Sequence, residues 1–363
     1  MKVTACTFNC ALSVGPPLRW NGAKARAHRL VPALYNSCKS SGLDIPDLIL
    51  LQELIVYRST VLNAFKHGSH PYNTPEMKQA PFSSRVKIWP SGLAIVSRWP
   101  IVEYRHHRFE TTLGYHLERL TARGCVYAKI LHPSGRLIHV FVTHLNAWHT
   151  ATARAARAAQ ASEIGDFVEE TLRSNHVNSN RDMVLLGGDM NVDLFHTTER
   201  RAIENAIGHN CDLEPAQGRQ PSFSPSDNEL VGVDDPAEYA CTDRCYAAFL
   251  ATGKCDGAPH DLLDAITRLG CSGSKSGRPF RSRTIQVTTQ VPFMCDYTRT
   301  FKKEVNHVSD HAAVVSVFVQ QKHIDSPEKY HHHCYHLAVI GLSTNHHSRQ
   351  YLHHGVLHLS LSH

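Results

Sequence analysis

Apolar and polar positions alternate along Val3-Thr4-Ala5-Cys6-Thr7-Phe8-Asn9, and the alternation ends on an amide. A period of two is the mark of a strand. The period then changes: within residues 24–40, Leu30, Val31, Leu34 and Tyr35 fall at helical spacing and predict an amphipathic helix. Pro46-Asp47 leads into Leu48-Ile49-Leu50-Leu51, a second buried strand ending in Gln52-Glu53, and a further helix is expected over residues 57–66. Residues 91–97 supply a third strand, stopped at Trp99-Pro100. Residues 124–131 and 137–143 flank Pro133-Ser134-Gly135, a hairpin signal, and the second arm runs into Thr143-His144-Leu145-Asn146. The alanine-rich residues 147–173, with Ile164, Phe167, Val168 and Leu172 on one side, predict a long surface helix. After it come a buried strand at 183–186, a short apolar piece at 262–266 that carries Asp264, and a last β-rich run at 312–319.

The stretch Leu185-Leu186-Gly187-Gly188-Asp189-Met190-Asn191-Val192-Asp193 ends an apolar run in two glycines, a carboxylate and an amide. The glycines are read as a tight turn that admits a ligand close to the backbone. Asp189 and Asn191 are two residues apart, so on an extended segment both side chains would leave one face. A carboxylate beside an amide suits a phosphoryl group and its proton traffic. Taken singly, such residues are more often structural: a capping Asn, a turn Asp, a solvated His. Here separate core strands are read as delivering Asn9, Glu53, His144, Asp189 with Asn191, and Asp310 with His311 to one rim, and that convergence predicts an active site.

The 363 residues allow one large domain or two modest ones. With 42% hydrophobic and 19% charged residues the composition is that of a globular protein. The formal charge of +6 and a pI near 8.7 suit an anionic partner (nucleic acid, phospholipid or an acidic metabolite) without choosing among them. No apolar run approaches the roughly 18 residues of a membrane span, and Met1-Lys2-Val3-Thr4-Ala5 enters the first strand with no secretory leader pattern. Of the 11 cysteines, Cys211, Cys241, Cys245, Cys255, Cys271 and Cys295 crowd one region. Local disulfides, a zinc knuckle at Cys241-x3-Cys245 with Cys255, and buried thiols all remain open readings. Residues 194–261, with Pro215, Pro221, Pro225 and Pro236, read as a loop-rich variable insertion. Residues 321–363 are dominated by histidine and read as a disordered appendage able to bind metal adventitiously.

Six motifs in order resemble the set found in the endonuclease/exonuclease/phosphatase superfamily: Thr7-Phe8-Asn9, Leu51-Gln52-Glu53, Ser91-Gly92 through Ser97, Thr143-His144-Leu145, Gly188-Asp189-Met190-Asn191 and Ser309-Asp310-His311. Within it the chain most resembles the magnesium-dependent neutral sphingomyelinases of the secreted bacterial type, sphingomyelinase C. The wording from Ser91-Gly92 to Trp99-Pro100-Ile101-Val102-Glu103, Gly124-Cys125-Val126-Tyr127-Ala128-Lys129-Ile130, Gly187-Gly188-Asp189-Met190-Asn191-Val192 and Pro236-Ala237-Glu238-Tyr239 carries that likeness. The resemblance implies an α/β fold, a four-layer α/β sandwich of two packed mixed β-sheets flanked by helices (DNase I-like), with residues 1–320 as the catalytic domain. The chain departs from the family where Leu-Asp-Tyr-Ile becomes Leu263-Asp264-Ala265-Ile266 and where residues 240–261 intervene before it.

The resemblance also implies a chemistry: hydrolysis of sphingomyelin to ceramide and phosphocholine by a water activated by histidine. Glu53 matches the family's metal ligand for Mg2+ (or Mn2+ or Co2+), with Asn9 and Asp310 beside the metal and phosphate. His311 is the implied general base, its second nitrogen held by Asp264. His144 would donate to a phosphoryl or leaving-group oxygen, while Asp189 and Asn191 position water and phosphate. Residues 286–297 resemble a membrane-inserting hairpin with Phe293-Met294 at its tip, although core packing explains those two nearly as well. The basic run Lys275, Arg278, Arg281, Arg283 reads either as a lipid-phosphate contact or as a solvated loop. The implied partners are sphingomyelin and a phospholipid bilayer surface, the implied state is a monomer, and the implied location is extracellular or peripheral to a membrane. Two other readings compete. A DNase I-like or apurinic-site endonuclease would use the same rim on nucleic acid; a catalytically silent binding module would keep only the fold, and the complete polar set argues against it. The Asp-Arg-Ile signature of an inositol-phosphate phosphatase is absent.

Overall fold

The computed structural model describes residues 1–13, 22–77, 89–111, 121–147, 150–178, 181–215, 264–269, 280–287, 290–296, 302–307 and 312–320. The chain divides into two units, Met1–Lys322 and His323–His363, and all of the second lies outside the described residues. Strand β1 (Lys2–Leu12) is followed by helix α1 (Ala23–Ser40), β2 (Leu48–Leu54), α2 (Arg58–His67), β3 (Tyr72–Asn73) and β4 (Ala94–Ser97). Then come β5 (Ile101–Arg108), β6 (Gly124–Leu131), β7 (Leu137–His144), α3 (Ala151–Ser174), β8 (Met183–Asp189) and α4 (Thr197–Ile207). The last elements are β9 (Asp264–Arg268), β10 (Phe280–Val287), β11 (Gln290–Asp296), β12 (Lys302–His307) and β13 (Ala313–Gln320).

The strands build two mixed sheets, one in the order β10-β13-β1-β2-β4-β3 and one in the order β5-β6-β7-β8-β9, and β11 and β12 form a separate ribbon. Each large sheet has one parallel pair at its centre, β1 with β2 and β7 with β8. Side-chain parity then sets the layers. Val3, Ala5, Leu48, Leu50 and Ile95 of one sheet share a core with Val126, Ala128, Val140, Val142, Met183 and Leu185 of the other. The opposite parity of the first sheet, Cys6, Phe8, Ile49 and Leu51, packs on Leu30, Val31 and Leu34 of α1 and Val61 and Phe65 of α2. The opposite parity of the second, Tyr127, Phe141, Val184 and Leu186, packs on Ile164, Val168 and Leu172 of α3 and Ile203 and Ile207 of α4. The result is helix, sheet, sheet, helix: a four-layer α/β sandwich.

Several elements differ from the sequence-based expectation for identifiable reasons. The helix expected from residue 147 begins at Ala151 because Thr150 caps it, its hydroxyl accepting from Ala153 N at 3.1 Å. Gly187 and Gly188 are not a turn; both lie inside β8. A Cβ on Gly187 would stand 2.9 Å from Leu50 Cδ2 of the facing sheet, and one on Gly188, whose φ is 149°, would stand 2.0 Å from Thr143 O. The glycines therefore permit close approach on both sides of the strand. Residues 194–261 are not loop throughout, since α4 lies within them and buries Ile203 and Ile207. Arg281 and Arg283 occupy β10, opposite Val319 and Val317, so they belong to a strand rather than to a loop, while Lys275 and Arg278 lie outside the described residues. Phe293 and Met294 pair with Val305 and Glu304 along the ribbon, so their backbones sit within a strand and not at its tip; residues 297–301 lie outside the described set. Cys241, Cys245, Cys255 and Cys271 also lie outside it, whereas Cys38 and Cys125 are buried thiols. No helix among the described residues is long and apolar enough to cross a membrane.

Two buried histidines connect this packing to pH. His70 Nε2 meets Pro46 O at 2.7 Å and Nδ1 meets the Tyr35 hydroxyl at 2.6 Å. A carbonyl can only accept, so Nε2 carries the proton and Nδ1 accepts from the tyrosine. His139 Nδ1 lies 2.8 Å from the Tyr127 hydroxyl in the helix-side layer of the second sheet. Burial, as the main cause, pushes both imidazoles down from the ordinary 6.5 to about 4. The unfolded chain therefore binds more protons than the native one between these values. Stability from the two groups is fully present above pH 6.5 and is lost as pH falls through about 4, by on the order of 3 kcal/mol each. Urea midpoints should fall steadily from pH 7 to pH 4, and His139→Phe should flatten that slope. An unchanged slope would show that His139 is already charged in the folded state.

Candidate active site

The site arises where the inter-sheet core changes from apolar to polar along the same strand faces. On β1 the inward positions Val3 and Ala5 are followed, at the same parity, by Thr7 and Asn9. On β2, Leu48 and Leu50 are followed by Gln52; on β7, Ile138, Val140 and Val142 by His144; on β8, Met183, Leu185 and Gly187 by Asp189. Because β1 and β2, and β7 and β8, run in parallel, these polar positions collect at one end of the sandwich. A buried pair closes the apolar part, Gln52 Nε2 donating to Thr7 Oγ1 and to Leu50 O, each at 3.0 Å.

Asn9 joins the two sheets at this end. Its Nδ2 donates to Asp189 Oδ2 at 2.9 Å and to Glu53 Oε1 at 3.2 Å, while its Oδ1 accepts from Ala11 N at 3.0 Å. His144 Nε2 lies 3.5 Å from the same Asp189 oxygen and 3.9 Å from the same Glu53 oxygen. Asp189 Oδ1 accepts from Asn191 N at 2.9 Å, and Asn191 Nδ2 donates to Leu145 O at 2.9 Å. Side-chain exposure rises from 2% at Asp189 through 7% at His144 to 26% at Glu53. Of these two carboxylates, Glu53 is the nearer to water.

Strict alternation would send Glu53 to the helix side with Ile49 and Leu51. Instead its φ is 52°, a left-handed conformation that swings the carboxylate back to Asn9. Asn191 has a φ of 50°, so it does not continue the strand, and the idea that Asp189 and Asn191 share an extended face is replaced by a turn closed on the Asp189 carboxylate. Ala11, at φ 47°, marks the irregularity in the pairing of β1 with β2, and the buried Arg26 holds it there by donating to Ala11 O at 2.7 Å. Left-handed non-glycine residues persist only where neighbours over-determine them.

The structure brings Asn9, Glu53, His144, Asp189 and Asn191 together. The backbone of Asp264 stands opposite Asp189 in the pairing of β9 with β8. Asp310 and His311 lie outside the described residues, immediately before β13 in sequence; β13 begins at the Asn9 end of β1, where Val314 pairs with Thr7. Sequence reasoning gave no role to Arg123, Asn146, Arg157 and Gln160, which surround the turn after His144; no motif or period singles them out.

No group of three or more His, Cys, Asp or Glu side chains placed to hold a metal ion occurs among the described residues. Magnesium does not need one, because it keeps several waters and takes one or two carboxylates. The donor set fits on a different ground. The two hydrogen-bond or ion-pair contacts of Glu53 use Oε1, and Oε2 makes none among the described residues. A quarter-exposed carboxylate whose second oxygen is unengaged, next to a second carboxylate, is a suitable hard-cation ligand.

The profile of the Endonuclease/Exonuclease/phosphatase family matches residues 6–226. Sphingomyelinase C of Bacillus cereus is 32% identical over 158 residues, 41% of this chain and 45% of the relative. Sphingomyelinase C of Listeria ivanovii is 32% identical over 191 residues, 51% of this chain and 52% of the relative. The chain thus spans about half the length of the curated relatives it matches. The crystal structure of a Staphylococcus aureus beta toxin mutant with bound magnesium ions superimposes with a TM-score of 0.64 at 22% identity, covering 89% of this chain and 100% of that one. That likeness is one of fold, the DNase I-like sandwich.

The strain at Glu53 is measurable without activity. Glu53→Gly should be at least as stable as the wild type, because glycine adopts a φ of 52° at no steric cost. Glu53→Val should lose about 1–3 kcal/mol in urea unfolding. Equal stabilities for the two variants would show that the backbone there is not strained.

Proposed function

From the membership of this chain in the endonuclease/exonuclease/phosphatase family, whose matched relatives are phosphodiester hydrolases, we propose that it is a divalent-metal-dependent sphingomyelin phosphodiesterase of the phospholipase C type. It would cleave sphingomyelin to ceramide and phosphocholine at a bilayer surface, as a monomer. The observation that carries the reading is the Asn9 amide shared by Asp189 and Glu53 with His144 beside both, an arrangement of hydrogen-bond donors and carboxylates suited to a phosphoryl group.

Each residue then has a defined task. Glu53 would hold magnesium, with Asn9 and Asp310 as the protein's other candidate ligands. The ion, when bound, supplies Lewis-acid polarisation of a phosphoryl oxygen. Asn9 keeps the Asp189 and Glu53 carboxylates on fixed vectors. His144, nearly buried, donates to the oxygen on which charge develops, where low solvent access strengthens the interaction. Asp189 and Asn191 orient the attacking water and the phosphate. His311 takes the proton from that water, with Asp264 orienting its imidazole. The β11–β12 ribbon that carries Phe293 and Met294 is the element assigned to the lipid surface. Sphingomyelin as substrate is supported by the names of the relatives, and magnesium by the ions in the toxin structure.

Purified protein should release phosphocholine from sphingomyelin vesicles with magnesium, lose that activity in excess EDTA and regain it on magnesium addition. Glu53→Gln and His311→Ala should each lower kcat/KM by roughly a hundred-fold or more while leaving thermal unfolding near the wild-type value. Parallel arms with plasmid and abasic-site DNA separate the nuclease alternative: nicked DNA with intact lipid overturns the substrate, and neither product overturns the enzyme.

A further inference from the structure

The turn that follows His144 is built around one carbonyl. Arg123, only 9% exposed, precedes β6 and donates from Nη1 to Leu145 O at 2.7 Å and more weakly to His144 O at 3.4 Å. The same Leu145 O accepts from Asn191 Nδ2 at 2.9 Å, and Leu145 N donates to Asp189 O at 3.0 Å. A carbonyl has two lone pairs, and here one takes a guanidinium while the other takes the side chain of a candidate site residue. Because Leu145 O can only accept, its contact also decides which end of the Asn191 amide is NH2 and leaves Oδ1 at the other end.

We propose that Arg123 is a positioning residue for Asn191: it locks the Leu145 carbonyl, and that carbonyl orients the amide offered to the phosphodiester. The role rests on the phosphodiesterase reading of the site. Two further observations support it. Asn191 has a left-handed backbone, a conformation that needs anchors, and its anchors are Asp189 Oδ1 on the main chain and Leu145 O on the side chain. The rest of the turn is held independently of Arg123. Arg157 Nη1 donates to Asn146 O at 3.1 Å, and Gln160 brackets Asn146, accepting from its N at 2.9 Å and donating to its Oδ1 at 2.5 Å. Removing the guanidinium therefore frees the Leu145 carbonyl, and the weaker contact on His144 O, while Asn146 keeps its own bonds to Arg157 and Gln160. A charge-assisted bond of this length is the stronger of the two on Leu145 O, so it is the arginine that sets the acceptor and the asparagine that follows.

The test is a double-mutant cycle on the full chain. Arg123→Met keeps the aliphatic stem and removes the donor. With sphingomyelin in mixed micelles and with the soluble diester bis(4-nitrophenyl) phosphate, it should lower kcat roughly ten- to hundred-fold and leave KM within about two-fold. Arg123→Lys should recover part of that loss. In an Asn191→Ala background Arg123→Met should cost less than about three-fold more, because the residue it positions is gone. Arg200→Met, which removes another buried guanidinium bound to a carbonyl, Leu194 O, serves as the control for general destabilisation. Full additivity in the Asn191→Ala background, unchanged kcat in Arg123→Met, or an equal loss in Arg200→Met each overturns the proposal. If the wild type cleaves neither substrate, the functional reading fails on its own, and positioning is then judged by 15N NMR. The Asn191 side-chain amide pair, assigned by its loss in Asn191→Ala, should shift and exchange at least about ten-fold faster with solvent in Arg123→Met; unchanged resonances overturn it.

Discussion

One amide nitrogen sets the geometry of this molecule's polar end. Asn9 Nδ2 reaches from the first sheet to Asp189 of the second and to Glu53 of its own, so two carboxylates and the imidazole of His144 are arranged around a single donor. Without a donor between them the two carboxylates would repel one another at short range in a partly dehydrated pocket. With it, Asp189 is buried almost completely and Glu53 remains at the mouth. The contact also ties the two sheets together just beyond the apolar layer they share, and the approach of His144 to Glu53 spans the same gap. The separation of the sheets and the separation of the carboxylates are thus one quantity.

The apolar layer behind the site is what makes that contact reproducible. Val3, Ala5, Leu48, Leu50, Val140, Val142, Met183 and Leu185 fill the space between the sheets with no polar atom to satisfy, and the Thr7–Gln52 pair closes it. Close-packed interiors do not deform continuously, so the ends of β1, β2, β7 and β8 hold fixed positions relative to one another. Strain is concentrated just beyond that layer, at Ala11, Glu53 and Asn191, each in a left-handed conformation. Hydrogen bonds within the turns hold these residues: Arg26 on Ala11 O, Asp189 and Leu145 on Asn191, Asn9 on the Glu53 carboxylate.

Much of this was legible along the chain. Period two in β1, the apolar runs of β2 and β8, and the helical spacing of α1 and α3 each have a short-range cause in side-chain parity, and the same parity places Asn9, His144 and Asp189 on one face. The strand β5 was not legible, because Ile101-Val102-Glu103-Tyr104-Arg105-His106-His107-Arg108 is an edge strand whose residues are only partly buried and carry little apolar contrast. Helix α4 was obscured by the prolines that follow it, although Ile203 and Ile207 stand one turn apart and reach the core. At Glu53, parity points the wrong way. Its direction depends on a left-handed backbone, which no periodicity encodes. Arg123 illustrates the same limit from the other side: its importance lies in a carbonyl it reaches across 22 residues of sequence, and a residue type alone does not announce such a partner.

The contact of Gly188 with Thr143 has a consequence for how such a site can change over generations. A Cβ there would lie on the Thr143 carbonyl oxygen, so β7 and β8 are held at a distance set by bare backbone. His144 and Asp189 are the residues next to that contact, directly paired in register. Their spacing is therefore set by main-chain atoms common to every amino acid, and stepwise exchange of neighbouring side chains has little purchase on it. Exchanges in the surrounding loops therefore leave in place the main-chain positions from which the imidazole and the carboxylate start.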